Sequence, residues 1–91
     1  MQTIFKYKLF PQRITTIIDA PKGAIPLSVL VQEGETPVIY LLVDSGETEI
    51  EQFFVYCFQT GETVPDNVLR NTKFIGTLAF YNGDYVLHVY A

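Results

Sequence analysis

The chain has one histidine and one cysteine, the side chains that most often act as bases, nucleophiles and metal ligands. Strand alternation places His88 on the face of Val86 and Tyr90, with no obvious helper beside it. A zinc site needs about four ligands, and one nitrogen and one sulfur donor cannot supply them. The sequence therefore predicts no metal site, no cofactor and a structural or surface role for His88.

The cysteine, Cys57, lies among Phe54, Tyr56 and Phe58. A reactive thiol needs a nearby cation or a helix N-terminus, whereas apolar neighbours raise its pKa. We therefore expect a buried, unreactive side chain and disfavour a catalytic pair between Cys57 and His88. A lone thiol cannot form an intrachain disulfide, which fits a reducing compartment.

Three acidic residues, Glu47, Glu49 and Glu51, alternate along one face of a predicted strand. Nothing nearby would tune them for acid and base catalysis, so we interpret the row as a solvated face that discourages pairing between sheet edges. The sequence also lacks a phosphate-binding glycine loop, a nucleophile elbow and a calcium loop. We therefore predict that the protein is not an enzyme.

Tyrosine is in excess, with six copies. Its flat apolar body and hydroxyl suit interfaces and stacking sites. Tyrosines also commonly lie at the ends of β cores, where their hydroxyls reach water. Ten acidic against six basic residues give a net charge of -4, which disfavours non-specific binding to nucleic acid or membrane. The few cations could still gather into a patch for a small anionic ligand. The candidate binding residues are Tyr40, Tyr56, Tyr81, Tyr85, His88, Tyr90, Arg70 and Lys73.

The elements that must position these side chains are predicted to be strands. A chain of 91 residues has room for a single domain, and we assign residues 1–91 to one β domain. Ile, Val, Phe and Tyr dominate its apolar residues, and these side chains pack well on a pleated sheet. About seven segments with strand patterns are separated by turns, which favours an all-β sandwich or small closed barrel of mainly antiparallel strands.

The first strand places Phe5, Tyr7 and Leu9 on one face, and Pro11 interrupts it before a second strand that begins at Arg13. Residues 38–43 are apolar on both faces, which predicts a central strand.

Turn residues mark two further features near the end of the chain. The Asn82-Gly83 pair predicts a hairpin between the last two strands. Residues 60–72 form the one long loop, in which Asp66 is placed to cap a single helical turn carrying Val68 and Leu69.

Several segments together resemble a family of short uncharacterised proteins encoded by bacteriophages and prophages. They are Thr3-Ile4-Phe5-Lys6-Tyr7, Leu41-Leu42-Val43-Asp44, Thr60-Gly61, Phe74-Ile75-Gly76-Thr77 and Val86-Leu87-His88-Val89-Tyr90. The resemblance covers almost the whole chain and implies a viral or prophage origin and a location in the host bacterial cytoplasm. It transfers no activity, and the chain has Tyr40 and Glu62 where family members often have Trp and His.

The leading hypothesis is a non-enzymatic accessory protein that binds a host protein, including a host defence factor. A second is an oligomeric sponge that holds a nucleotide between subunits, and a third is a minor component of the virion. Self-association is also expected, because small sheets leave edges that identical chains can pair. No apolar run reaches the ~20 residues that span a bilayer, so we expect a soluble protein.

Overall fold

Strands make up most of the computed structural model, which describes residues 1–10 and 14–91. Within these residues the strands are β1 (Gln2–Lys8), β2 (Thr15–Pro21), β3 (Ile25–Gln32), β4 (Thr36–Asp44), β5 (Ile50–Gln59), β6 (Phe74–Phe80) and β7 (Tyr85–Tyr90). A short helix, α1 (Asp66–Asn71), precedes β6, and a 3-10 turn (Tyr81–Gly83) joins β6 to β7. The prediction of an all-β fold with at most one short helical turn is confirmed. No helix in the described part of the chain is long and apolar enough to cross a membrane.

The strands form two antiparallel sheets, with strand orders β1-β4-β3 and β2-β5-β7-β6. The sheets face each other, with β3 across β6 and β2 across β4. Of the two predicted architectures, the structure is therefore the sandwich, in which two separate sheets enclose one layer of side chains.

The core is made by alternate residues of both sheets, because successive strand residues point to opposite faces. Its members include Leu9, Ile18, Ala20, Ile39, Leu41, Val43, Val55, Cys57, Leu78, Phe80, Leu87 and Val89. Burying one such Val, Leu or Ile side chain contributes about 1.5–3 kcal/mol relative to leaving it exposed. These inward positions fix which side chains of each strand point to the outside.

The predicted central strand is β4, which lies between β1 and β3. In β1 the predicted inward face is confirmed for Tyr7, which packs against the core, and Leu9, just after the strand, is buried. Phe5 shares that face but stays partly exposed. The predicted break at Pro11 and strand start at Arg13 lie outside the described residues.

The predicted hairpin between the last two strands is confirmed, since Phe80 pairs with Tyr85. Its turn is longer than a two-residue Asn-Gly turn: φ is 52° at Tyr81, 58° at Asn82 and 93° at Gly83. Left-handed backbone at the bulky Tyr81 is a feature that the sequence did not predict, because such residues pay a steric cost there.

The long loop contains the predicted helical turn, but the predicted cap is wrong. Pro65 occupies the N-cap position, and Asp66 is the first residue of α1. Val68 is buried, whereas Leu69 remains exposed.

The predicted row of three glutamates on one strand face is also wrong, because β5 begins only at Ile50. Glu49 forms an ion pair with Lys22, at 3.3 Å, and a carboxylate oxygen of Glu51 accepts a hydrogen bond from the Gly23 N–H at 3.0 Å. Both glutamates therefore contact the turn between β2 and β3.

Candidate functional site

The outward surface of the four-stranded sheet collects aromatic side chains. Val55 and Cys57 of β5 point into the core, so Phe54, Tyr56 and Phe58 point outward. Strands β6 and β7 add Phe74 and Tyr90 to the same surface. We call the set Phe54, Tyr56, Phe58, Phe74 and Tyr90 the aromatic face.

Strand register aligns three of these side chains in one row. Tyr56 of β5 pairs with Tyr90 of β7, and Tyr90 pairs on its other side with Phe74 of β6. The ring centroids of Phe74 and Tyr90 are 5.6 Å apart and those of Phe58 and Tyr90 are 6.0 Å apart, both edge to face. Such a pair contributes about 0.5–1.5 kcal/mol beyond its buried area. Tyr90 is therefore the centre of an ordered cluster.

Much of this apolar surface is open to solvent. Phe54 is 42% exposed and Phe74 55%, and the neighbouring Ile17 of β2, which pairs with Phe54, is 53% exposed. Phe58 is buried. The outward positions of β6 and β7 carry no charged side chain. Around the row of Tyr56, Tyr90 and Phe74, the face can therefore exclude water from a partner without desolvating an ion, whereas the exposed Asp19 of β2 lies on the same outward surface beyond Ile17.

His88 lies at one side of the aromatic face, where it pairs with Phe58 and with Thr77. Its Nε2 is 2.8 Å from the Thr60 hydroxyl, and its Nδ1 is 3.2 Å from the Thr77 hydroxyl. A neutral imidazole can accept from one hydroxyl and donate to the other. The two threonine hydroxyls hold the imidazole in place, and neither is a carboxylic acid that could share a proton with it. The arrangement therefore fixes the orientation of the His88 ring.

The two threonine partners of His88 were not predicted from the sequence. Thr77 is placed beside His88 by cross-strand pairing, and Thr60 comes just after β5 ends. Neither is near His88 in the sequence, and only the strand register would have revealed them.

The other predicted tyrosines are not brought to this face. Tyr40 lies on the outward surface of the three-stranded sheet, where its hydroxyl accepts a hydrogen bond from Gln32 at 3.2 Å. Tyr85 packs against the core, with its ring 5.6 Å from that of Phe80. Tyr81 is exposed in the β6–β7 turn. Of the predicted binding residues, the structure therefore groups only Tyr56, His88 and Tyr90.

Arg70 and Lys73 come together elsewhere. Both line a cavity of about 320 Å³ beside α1, at the edge where β3 meets β6. They share this cavity, but they do not contribute to the aromatic face.

Cys57 is buried in the core, and burial raises the pKa of its thiol to about 11. The expectation of an unreactive thiol with a raised pKa agrees with this setting. Cys57 points into the core, whereas Phe58 and its strand partner His88 point to the outward surface of the same sheet. Cys57 and His88 therefore cannot form a catalytic pair. Among the described residues, no group of three or more His, Cys, Asp or Glu side chains could hold a metal ion.

Comparison with known proteins places the chain in a family without assigning it an activity. The model of a domain of unknown function, DUF7352, matches residues 1–91, so the chain belongs to that family. No curated protein and no solved structure matches the chain.

Proposed function

We propose that this member of the DUF7352 family is a non-enzymatic protein-interaction module and that the aromatic face is its contact surface. The observation that carries the proposal is the outward row of Tyr56, Tyr90 and Phe74 across three adjacent strands. Contiguous exposed apolar patches on soluble domains commonly mark interaction sites. Interface centres are also enriched in Tyr and Phe and depleted of charged residues, as this surface is.

The chemistry of the face specifies the partner surface. Phe54, Phe74 and Ile17 offer apolar area, so the matching surface presents aliphatic or aromatic side chains. The hydroxyls of Tyr56 and Tyr90 need hydrogen-bonding groups around that apolar centre, because buried polar atoms are costly when unpaired. The outward positions of β6 and β7 have no cation to contact phosphates, which favours a protein over a nucleic acid.

The setting that we propose for this module is a bacteriophage or prophage accessory protein that acts on a host protein in the bacterial cytoplasm. Support for this setting comes from the sequence resemblance to small phage and prophage proteins. A host defence factor is one class of partner that fits the proposal.

The test compares two double variants with matched exposure. Phe54→Ser with Phe74→Ser removes apolar area from the aromatic face, and Ile4→Ser with Leu30→Ser removes it from the outward surface of the three-stranded sheet. Each protein is first checked by thermal unfolding and then used as bait in host cytoplasmic extract, with bound proteins quantified by mass spectrometry. We expect a partner with wild type and with the Ile4 and Leu30 variant. Loss of the two most exposed rings of the aromatic face should weaken its retention by at least about tenfold.

Native mass spectrometry of the isolated bait distinguishes a foreign partner from a second copy of this chain. A dimer that dissociates in the Phe54 and Phe74 variant would make the aromatic face a self-association surface and overturn the proposal. Retention that is equal in both double variants, or no specific partner of wild type, would also overturn it.

A further inference from the structure

A second candidate site lies away from the aromatic face, at the edge of the sandwich. Its cavity of about 320 Å³ is at the lower end of the range for small-molecule pockets, roughly 300–1,000 Å³. The lining residues that matter here are Arg70, Asn71, Lys73, Ile25, Pro26 and Ile75. The lining therefore combines cationic and polar residues with apolar ones.

The charge at this cavity is opposite to that of the whole chain, which carries a net charge of -4. No Asp or Glu side chain of the described residues lines it, although the carboxylate of Ala91 does, without forming an ion pair with Arg70 or Lys73. Within residues 1–10 and 14–91, the ion pairs involve Lys22 and the Met1 amino group, so neither Arg70 nor Lys73 is in an ion pair, and their two charges exceed the single carboxylate at the cavity. Two adjacent cations of this kind attract a small anion to the cavity.

The backbone around the two cations is held in place by hydrogen bonds. The N–H and the hydroxyl of Thr72 both donate to the carbonyl oxygen of Val68, at 3.0 and 2.6 Å. Lys73 and Ala91 exchange two backbone hydrogen bonds, of 2.9 and 3.0 Å. The segment that carries Arg70 and Lys73 is thus anchored at both ends before any ligand binds, which lowers the ordering cost of binding.

Both strands that border the cavity are irregular at this point. The register of β3 shifts between Pro26 and Ser28, and that of β6 shifts between Phe74 and Gly76. Such bulges redirect side chains and are frequent beside binding sites. Here Pro26 and Ile75, on facing edge strands, both line the cavity.

We infer that this cavity binds a small organic phosphomonoester whose body is a compact apolar group. The Arg70 guanidinium can bind two phosphate oxygens, and the Lys73 ammonium adds a second charge. Ile25, Pro26 and Ile75 contact the body of the ligand. Two cations and this volume fit one phosphate and one ring, and they do not fit a nucleic-acid strand. The site is independent of the interaction proposed for the aromatic face.

The inference is tested with three probes: phenyl phosphate, inorganic phosphate and phenol. Backbone amide shifts of the whole chain are followed by NMR during each titration. We expect saturable shifts at residues 70–76 and near Ile25 with phenyl phosphate, weaker binding of inorganic phosphate and weaker binding of phenol. Because the attraction is ionic, added salt should lower the affinity for phenyl phosphate.

Single variants identify the residues responsible. Arg70→Gln and Lys73→Gln should each weaken phenyl phosphate binding by about tenfold, since each removes a charge-assisted hydrogen bond. Lys8→Gln, which removes the same charge from another surface, should change it less than about twofold. Phe54→Ser alters the aromatic face and should leave it unchanged, so the two proposals can fail separately.

Three outcomes would overturn the inference. The first is no saturation with phenyl phosphate by about 10 mM, which corresponds to an affinity too weak for a specific pocket. The second is equal weakening by Lys8→Gln and Arg70→Gln, which would indicate general attraction to the chain. The third is a set of shifts centred away from residues 70–76.

Discussion

Gly76 of β6 lies directly against Val29 of β3, because a Cβ placed on Gly76 would be 3.0 Å from Val29 Cγ2. The two residues belong to different sheets, and Val29 packs against the core. The absence of a side chain at Gly76 therefore lets the two edge strands approach each other. This contact is also near the cavity between β3 and β6.

Gly76→Ala should destabilise the protein. The added methyl group overlaps Val29, whose β-branched side chain has few alternative rotamers, and overpacking of this kind costs about 1–3 kcal/mol. Urea unfolding measures the change. Gly76→Ala should cost less in a Val29→Ala background than in wild type, which is a favourable coupling in a double-mutant cycle. A Gly76→Ala protein as stable as wild type would show that β3 moves away freely.

Cys57 should resist modification in the folded protein. Burial raises the pKa of its thiol from an ordinary value of 9.0 to about 11, so the thiolate is scarce at pH 8. We expect iodoacetamide to label Cys57 only after denaturation, as measured by intact mass. Labelling of the native protein at the denatured rate would contradict the buried position.

The same pKa shift predicts a loss of stability at high pH. The folded state favours the neutral thiol, so its contribution is complete below pH 9.0 and declines as the pH rises toward about 11. The full linkage is on the order of 2–3 kcal/mol. Cys57→Ala lacks this group, and the gap in unfolding free energy between wild type and the variant should narrow over that range. A gap that stays constant with pH would exclude the linkage.

The sequence predicted the features of this fold that depend on neighbouring residues. Alternation in β1 indicated its inward face, and the two-sided apolar character of β4 indicated a central strand. The Asn82-Gly83 pair indicated the final hairpin. Each pattern is local, because side-chain period and turn geometry are properties of a few consecutive residues.

The arrangement of the candidate site depended on long-range register, which no local pattern contains. Tyr56 and Tyr90 meet because β5 pairs with β7. Tyr40 lies on β4 in the other sheet, and alternation along β7 turns Tyr85 toward the core. Composition predicted that tyrosines were available for binding, but only the topology selects which of them share a surface.

The contacts of His88 should be structural and measurable. Thr60→Val and Thr77→Val each remove one hydroxyl partner of the imidazole, and each should lower the free energy of unfolding by about 0.5–1.5 kcal/mol. A double-mutant cycle with His88→Ala should show coupling to both threonines. Thr63→Val, an exposed control in the loop after β5, should change stability by less than about 0.5 kcal/mol. Effects equal to that of the control would mean that the hydroxyls do not hold the ring.

Tyr81 should be replaceable with a gain in stability. Its φ of 52° lies in the left-handed region, and its side chain is 61% exposed, so the backbone cost is not balanced by burial. Asn tolerates this conformation better than other side chains that have a Cβ. Tyr81→Asn should therefore be more stable than wild type by about 0.5–1 kcal/mol in urea unfolding, whereas Tyr81→Ala, which loses the same ring without easing the backbone, should show no such gain. Equal stability of the two variants would mean that the turn relaxes at no cost. If Tyr81→Asn is more stable than wild type, the native tyrosine is kept at the expense of stability, which would favour a contact role for its exposed ring.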